Sequence, residues 1–511
     1  MKFDYGWLPG NLVTEAICNE LSVLFSAQYG VWSMSDPGGR GGEPIRFSPS
    51  RIRNLLRSTD SKVAMARLQG QLVGYAIAVQ TNVKDYGVVS WVTQLVVHSE
   101  HRHAGIGKTL LFCIWGFSDH YAWGLTSANP YAVRALERAT RRRCLPVRIR
   151  KNVRKLLSVG AQHVPYIKPE TEKRVTRNES SIDTDFFVDR TNLPAMVENA
   201  SKTDRWELGT LQEGWEWLAF TFHDQKQISL TPNEIRTMLD ASDDITRQAY
   251  SRMTNTGSQL WARHTNAEVD FIVEACKLQQ GETVLDLGCG RGRHVHALSS
   301  KGYVVTGVDY VDTFVEEARA AVTEDCKGRS EFVIGECRDI RLERRFDAVV
   351  CLYDVIGTYV DDFDNAKILA TIVSHLKPGG IALLSVMNLG LTKRRAQNHF
   401  SLESQPDRLL SLQPSKVMEA TGDVFDPRFF MIDTDTGVVY RKEQFAQGSE
   451  LPVELIVRDR RFEQEEIEKL CTDAGLEVIW SRFVRAGAWQ FGLDRSDDHA
   501  KEILVLCRRP A

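Results

Sequence analysis

The spacing of apolar and polar positions divides the chain into two stretches of different rhythm. Toward the N-terminus, KVAMARLQGQLVGYAIAVQ predicts two strands around a Gly-Gln turn, and VVSWVTQLVVH a longer strand. GKTLLFCIWGFSDHYA has helical spacing, and WGLTSANPYAVRALERATRR reads as strand, Asn-Pro turn and helix, with proline in the first helical turn. DPGGRGGEP is a glycine- and proline-rich loop. Past residue 160 the pattern is weaker until WELGTLQEGWEWLAFTF, which predicts a strand pair. Residues 226–245 are polar and predict a linker. From TVLDLGCG onward strands and helices alternate, the mark of a mainly parallel sheet. An α/β chain of two domains follows, residues 1–225 and 246–511. Between the fifth and sixth strands of the second domain, residues 390–460 form an insertion in which FFMIDTDTGVVYRKEQF and LPVELIVRDRRF predict an antiparallel lid.

Composition sharpens this division. At 511 residues the chain exceeds what one core usually organises. Residues 1–160 carry 21 Lys and Arg against 10 Asp and Glu, while the whole chain has a net charge of −3. Opposite signs in the two halves predict different ligands. Arg138–Lys155 holds nine basic residues and no acid, which reads as a solvated helix and strand edge or, alternatively, as a nucleic-acid contact. No aromatic residue interleaves that run, so stacking on single strands finds no support. The apolar runs are too short for a membrane span, and the N-terminus has neither a basic lead nor an apolar block. Ten scattered cysteines without a C-x-x-C pair predict buried, reduced thiols in a cytoplasmic protein.

RHAGIGKTLL ends like a P-loop, but the position that must be glycine to wrap a phosphate is Arg102. The spacing that does fit is Arg102-x-x-Gly105-x-Gly107 between a strand and a helix, where the two glycines allow a tight turn and the helix N-terminus attracts a pyrophosphate. In LVVHSEHRHAGIGKTLL followed by LTSANPYAVRALE, residues 1–225 resemble the GNAT acetyltransferase superfamily, with a mixed, mainly antiparallel sheet. The resemblance implies acetyl-CoA or another acyl-CoA as cofactor. Amides at Leu95, Val96 and Val97 would pair with its pantetheine arm. Arg102, His103, Ala104, Gly105, Ile106, Gly107 and Lys108 would hold its pyrophosphate, and Asn129 its far end or the neighbouring strand. Two departures stand out: Thr93 and Gln94 occupy positions where many relatives have a carboxylate, and Leu136 stands where many have a tyrosine. His98, Glu100, His101 and His103 are nearby polar groups; the histidines lack helical ligand spacing, so no metal is expected.

In the second half, TVLDLGCGRGRHVHALSSKGYVVTGVDY is a strand, glycine loop, helix and strand ending in Asp309. An acid at the tip of the second strand suits hydrogen bonds from ribose hydroxyls. With FVIGECRDI, RFDAVVCLYDVIG, LKPGGIALLSVMN and FEQEEIEKLCTDAGLEVIWSRF behind it, this half resembles class I S-adenosylmethionine-dependent methyltransferases, a Rossmann-like seven-stranded fold. The resemblance implies S-adenosylmethionine bound by Asp286, Gly288, Cys289, Gly290, Gly292, Asp309, Tyr310, Glu336, Cys337 and Leu352. AYSRMTNTGSQLWARHTNAEVDFIVE predicts capping helices. His264, Tyr353, Asp354 and Tyr359 are candidate groups near the methyl acceptor. YDVI replaces the Asp/Asn-Pro-Pro-Tyr/Phe run used on nucleic-acid bases. The two resemblances together imply a bifunctional transferase, N-acylating and N- or O-methylating a small amine-bearing metabolite. The alternatives are a nucleic-acid- or ribosome-modifying enzyme, and a methyltransferase whose GNAT half senses acyl-CoA without catalysis.

Overall fold

The computed structural model describes residues 3–57, 60–167, 180–251, 260–415, 423–445, 451, 453–485 and 487–511. Its contacts divide the chain into two units, residues 1–246 with 445–455, and residues 247–444 with 456–511. Among the described residues, no helix is long and apolar enough to cross a membrane. All ten cysteines are free and buried.

The N-terminal unit contains β1 (Asp4–Pro9), α1 (Glu15–Gln28), α2 (Pro49–Leu55), β2 (Ser61–Leu68), β3 (Gln71–Val83), β4 (Gly87–Val97), α3 (Ile106–Trp115), β5 (Ala122–Ser127), α4 (Pro130–Thr140), α5 (Pro146–His163), β6 (Ser181–Asp183), α6 (Leu193–Ser201), β7 (Trp215–Phe222) and α7 (Pro232–Ser251). Its strands form one sheet in the order β1-β2-β3-β4-β5-β7-β6. Every neighbouring pair is antiparallel except β4 and β5. On one face, Leu21 and Phe25 of α1 pack with Ile52 of α2 and the strand residues Val63, Tyr75 and Ile77. The predicted strand pair at 206–222 is a single strand, β7, preceded by a loop; its partners are β5 and the short β6.

Residues 226–245 do not form a linker. Most of them lie in α7, whose start carries a reciprocal capping box. The Glu234 amide donates to Thr231 Oγ1 at 3.3 Å, and the Thr231 amide donates to Glu234 Oε2 at 3.0 Å. Ile235, Met238, Leu239 and Ile245 are buried, an i, i+3, i+4 stripe that the surrounding polar residues hid. Glu234 also accepts from Arg138 Nε at 2.8 Å and pairs with Lys108 Nζ at 3.3 Å. Part of the basic run is likewise engaged by its own unit, while Lys151 and Arg154 stay exposed. Arg142 donates to the His223 carbonyl at 3.0 Å, Arg143 pairs with Glu137 at 3.2 Å, and Arg148 pairs with Asp224.

The C-terminal unit contains α8 (Thr265–Ala275), β8 (Thr283–Leu287), α9 (Arg293–Ser300), β9 (Val304–Asp309), α10 (Asp312–Ala320), β10 (Ser330–Ile334), β11 (Phe346–Cys351), α11 (Asp362–His375), β12 (Leu376–Met387), α12 (Leu389–Arg395), β13 (His399–Phe400), β14 (Pro414–Ser415), β15 (Phe430–Asp433), β16 (Val439–Phe445), β17 (Val453–Asp459), α13 (Gln464–Asp473), β18 (Glu477–Val484) and β19 (Glu502–Arg508). The main sheet runs β10-β9-β8-β11-β12-β19-β18. It is parallel from β10 to β12, and β19 is antiparallel to both its neighbours. Parallel strands buried on both faces need apolar residues throughout, and Val349, Val350, Leu383 and Leu384 are all fully buried. The insertion folds into a second, small sheet that is mixed rather than antiparallel. β15 and β16 are antiparallel as the sequence predicts, but β13 runs parallel to β15 and β14 parallel to β16. Of the predicted capping helices, residues 252–259 lie outside the described residues.

Burial alone raises the Glu234 carboxyl, but Arg138, the Thr231 amide and Lys108 outweigh it and hold the group down at about 2, from 4.5. A depressed carboxylate stabilises the fold above its unfolded pKa, and that contribution is lost as pH falls through the folded value. Glu234→Gln should therefore lower stability by about 1–2 kcal/mol at neutral pH. Chemical denaturation of wild type and variant should show the gap closing between pH 4.5 and 2.

Candidate functional site

In the N-terminal unit the site begins where two strands separate. β4 and β5 pair from Val89↔Ala122 to Val92↔Leu125, and no further, although both strands continue to Val97 and Ser127. A bulge at Thr93 starts the divergence: opposite β3, Ile77 meets Gln94 while Ala78 meets Val92. The His98 amide donates to the Val73 carbonyl of β3 at 2.8 Å. Strand alternation then turns the amides of Leu95 and Val97 toward the open side and that of Val96 back toward β3. Of the three residues expected along a pantetheine arm, two therefore present donors. Thr93 and Gln94 are not bases in waiting: Thr93 Oγ1 donates to the Ile77 carbonyl at 3.2 Å, and buried Gln94 accepts from the Tyr75 hydroxyl at 2.9 Å. Leu136 is fully buried core.

Below this edge lies the loop to α3. Gly105 has φ +81°, a conformation only glycine takes at low cost, and a Cβ there would meet nothing within 4 Å. His103 is also left-handed, at φ +63°. No side chain caps α3, so the first amides of the helix point into the loop as an anion seat. Gly107 departs from its expected role: it lies within α3, and a Cβ would sit 3.8 Å from its neighbours. The Lys108 side chain is engaged by Glu234, and Arg102 is a strut, donating to the carbonyls of Val97 at 3.2 Å and Gln28 at 2.6 Å. The donors left open to an anion at this loop are thus backbone amides of residues 103–108. Asn129 caps α4 by accepting from the Tyr131 amide at 2.9 Å. A 3-10 turn, Ser99–His101, brings ligand atoms of His98, Glu100 and His101 within 4.8 Å of one another, a grouping that linear spacing did not anticipate.

Edge and loop line a cleft of about 860 Å³. Among the described residues lining it are two carboxylates, Asp189 and Glu216. Asp189 is exposed and held below the usual carboxylate range by the Thr191 hydroxyl and amide. Glu216, on β7, is 5% exposed, accepts from Thr184 Oγ1 at 2.8 Å, and is raised by burial against the smaller pull of Thr184 and Arg190. The sequence reading missed it, although an acid inside WEWLAF, otherwise a wholly apolar strand, was the available signal.

In the C-terminal unit, the loop after β8 passes through Gly288, Gly290 and Gly292, all at positive φ. A Cβ on Gly290 would meet nothing within 4 Å, leaving the loop open on that side. Asp309 ties the loop to the end of β9: its Oδ2 accepts from the Gly290 amide at 2.8 Å and its Oδ1 from the Val311 amide at 2.9 Å. A carboxylate has about four acceptor positions, so both oxygens keep capacity for hydroxyl donors. Asp286, 2% exposed, has a buried Oδ2 without a partner and is pushed up to about 7 by burial. An orphaned buried carboxylate beside an open glycine loop suits a ligand with a cationic end, as the ammonium and sulfonium of S-adenosylmethionine would supply. Glu336 accepts from the Tyr359 hydroxyl at 2.7 Å, with Arg338 4.1 Å over the tyrosine ring. Tyr359 therefore pairs with Glu336. Cys289, Cys337 and Leu352 are buried, while Tyr310 is 38% exposed.

Tyr353 and Asp354, just past β11, both have positive φ, rare for non-glycine residues and frequent at functional sites. The Tyr353 hydroxyl donates to Glu268, a fully buried carboxylate that also pairs with Arg293 at 2.6 Å and His294 at 3.0 Å. Asp354 Oδ1 and Glu502 Oε2 are buried without partners. Burial and the neighbouring Asp459 raise Asp354; burial and Glu268 push Glu502 up to about 7. Glu268, His294 and Glu502 were not anticipated from sequence, because each needs the fold to bring distant elements together. His264 is exposed, packed against Gly487.

Residues 29–139 match the acetyltransferase (GNAT) family, and residues 284–380 match a methyltransferase domain. The chain joins a GNAT acetyltransferase domain to a methyltransferase domain. The cofactors of these two families are acetyl-CoA and S-adenosylmethionine. Among curated proteins, the chain is 27% identical over 132 residues to a ubiquinone biosynthesis O-methyltransferase of Rickettsia typhi (strain ATCC VR-144 / Wilmington), covering 25% of this chain and 51% of that protein. It is 23% identical over 214 residues to a dTDP-3-amino-3,4,6-trideoxy-alpha-D-glucopyranose N,N-dimethyltransferase of Streptomyces venezuelae, covering 42% of this chain and 83% of that one. The chain spans about half the length of the Rickettsia relative. Among solved structures, the CcbJ methyltransferase of Streptomyces caelestis aligns with a TM-score of 0.37 at 17% identity, covering 48% of this chain and 90% of its own.

Asp309→Asn replaces an acceptor with an amide that must face one of two N–H groups. S-adenosylmethionine affinity, measured by calorimetry, should fall by about 10- to 100-fold, equivalent to one charged hydrogen bond.

Proposed function

We propose that this chain is a bifunctional transferase. The GNAT domain moves an acyl group from the coenzyme A thioester to an amine, and the methyltransferase domain moves a methyl group from S-adenosylmethionine to nitrogen or oxygen of a small molecule. The observation that carries the reading is the parting of β4 and β5 after Val92 and Leu125, which exposes the Leu95 and Val97 amides to a cleft of about 860 Å³ closed at one end by an uncapped helix. Amides at that edge are suited to hold a pantetheine arm and polarise a thioester carbonyl.

For the methyl half, Asp309, the glycine loop and the orphaned Asp286 are suited to S-adenosylmethionine. The same unit's Asp354 and Glu502, each with a buried oxygen lacking a hydrogen bond, favour an acceptor that arrives as an ammonium and gives up a proton to a carboxylate before attack, and hence methylation at nitrogen. The relative that modifies an amino sugar nucleotide is in keeping with this. A small acceptor is favoured over nucleic acid because much of the Arg138–Lys155 run is consumed by contacts within its own unit.

Incubating the protein and cell extract with isotopically labelled acetyl-CoA and S-adenosylmethionine, followed by mass spectrometry, should yield one product carrying both labels. Two separate singly labelled products would retain both activities and remove the shared substrate. Transfer of neither label would remove the reading itself.

A further inference from the structure

The GNAT half lacks the carboxylate expected beside Leu95, and the cleft offers a replacement from the opposite side of the sheet. The register fixes its height. β4 and β5 are parallel with Val92 opposite Leu125, and with the bulge at Thr93 taking up one residue Leu95 comes level with about Ser127–Ala128. β5 and β7 are antiparallel with Ser127 opposite Trp217, so Ala128 lies level with Glu216. Leu95 on β4 and Glu216 on β7 therefore lie at nearly the same height along the sheet, to either side of β5, and both line the cleft. The cleft, about 860 Å³, has room for an acyl group held by the Leu95 amide and an amine attacking it.

We propose that Glu216 is the group that accepts the proton of the attacking amine in acyl transfer, and that the acceptor enters this cleft as an ammonium ion. The proposal rests on the acyltransferase reading above. Glu216 takes one proton from the ammonium, freeing the nitrogen lone pair. The C–N bond then forms as the C–S bond breaks, and a second nitrogen proton ends on the departing coenzyme A sulfur as a thiol. Asp189, the other carboxylate of the cleft, is exposed and stabilised as an anion by Thr191, which makes it a weaker base. Glu216 is buried, faces Arg190, Tyr29 and Tyr166, and accepts from Thr184. Arg190 is itself occupied, donating to the carbonyls of Gln212 at 2.7 Å and Phe186 at 3.2 Å, so it tempers the carboxylate without forming an ion pair with it. Burial thus sets the balance and raises the Glu216 carboxyl, which makes it the stronger base of the two carboxylates.

The test uses the full chain, labelled acetyl-CoA and cell extract as acceptor pool, with wild type, Glu216→Gln and Glu216→Asp compared across pH. Glu216→Gln should lose about 10²- to 10⁴-fold in label transfer. Acetyl-CoA affinity by calorimetry should stay unchanged, and the rising limb of the pH–rate profile should disappear. Glu216→Asp, which keeps the carboxylate, should recover part of the rate and the limb. A Gln variant that binds acetyl-CoA and keeps both rate and limb overturns the proposal, as does a wild type that binds acetyl-CoA but transfers no label. Failure of the wild type to bind acetyl-CoA would instead overturn the acyltransferase reading on which the proposal rests.

Discussion

Where β4 and β5 part, two strands that had exchanged hydrogen bonds each keep a row of polar backbone groups with no partner across the gap. Such groups are costly when dry, about 1–3 kcal/mol each, so an open edge inside a domain is stable only if water or a ligand completes it. The remainder of the N-terminal unit keeps that edge open. The bulge at Thr93 turns the strand, and Tyr75 and Gln94 lock the turned segment to β3. Arg102 fastens the following loop to the carbonyls of Val97 and Gln28, which ties the cradle to the edge.

The C-terminal unit solves a different electrostatic problem. Three of its carboxylates, Asp286, Asp354 and Glu502, each have a buried oxygen without a hydrogen-bond partner among the described residues, although Arg461 and Arg441 act on Asp354 and Trp489 on Glu502. Natural proteins rarely leave such groups unmet, and each is costly unless protonated or paired with a cation. S-adenosylmethionine carries positive charge at sulfur and nitrogen, and a cationic acceptor would bring more. By contrast Glu268, equally buried, is satisfied by Arg293, His294 and Tyr353, and serves to fix the strained Tyr353 at the end of β11.

Much of this was legible in the chain before folding. The two glycine loops announced themselves because a left-handed turn needs glycine, as at Gly105 and Gly290, and strand alternation placed most sheet elements. What escaped the sequence has more than one cause. Glu268 and Glu502 matter through partners far away in sequence, which spacing cannot reveal, whereas Glu216 is marked only by being an acid within an apolar strand. The helix α7 reads as a linker because its polar face outweighs a narrow buried stripe, although Thr231-Pro232-Asn233-Glu234 spells a helix start. Basic residues 138–155 read as a solvated edge or a nucleic-acid contact, and the fold gives Arg138, Arg142, Arg143 and Arg148 carboxylates and a carbonyl of their own unit.

Amide hydrogen exchange at residue resolution, with and without acetyl-CoA, tests the central claim most directly, because it reads the open edge itself. The account predicts that a saturating ligand slows exchange at Leu95 and Val97 and across His103–Lys108, while Val96, already bonded to β3, changes little. Saturable binding that leaves these amides exchanging as freely as before would contradict it.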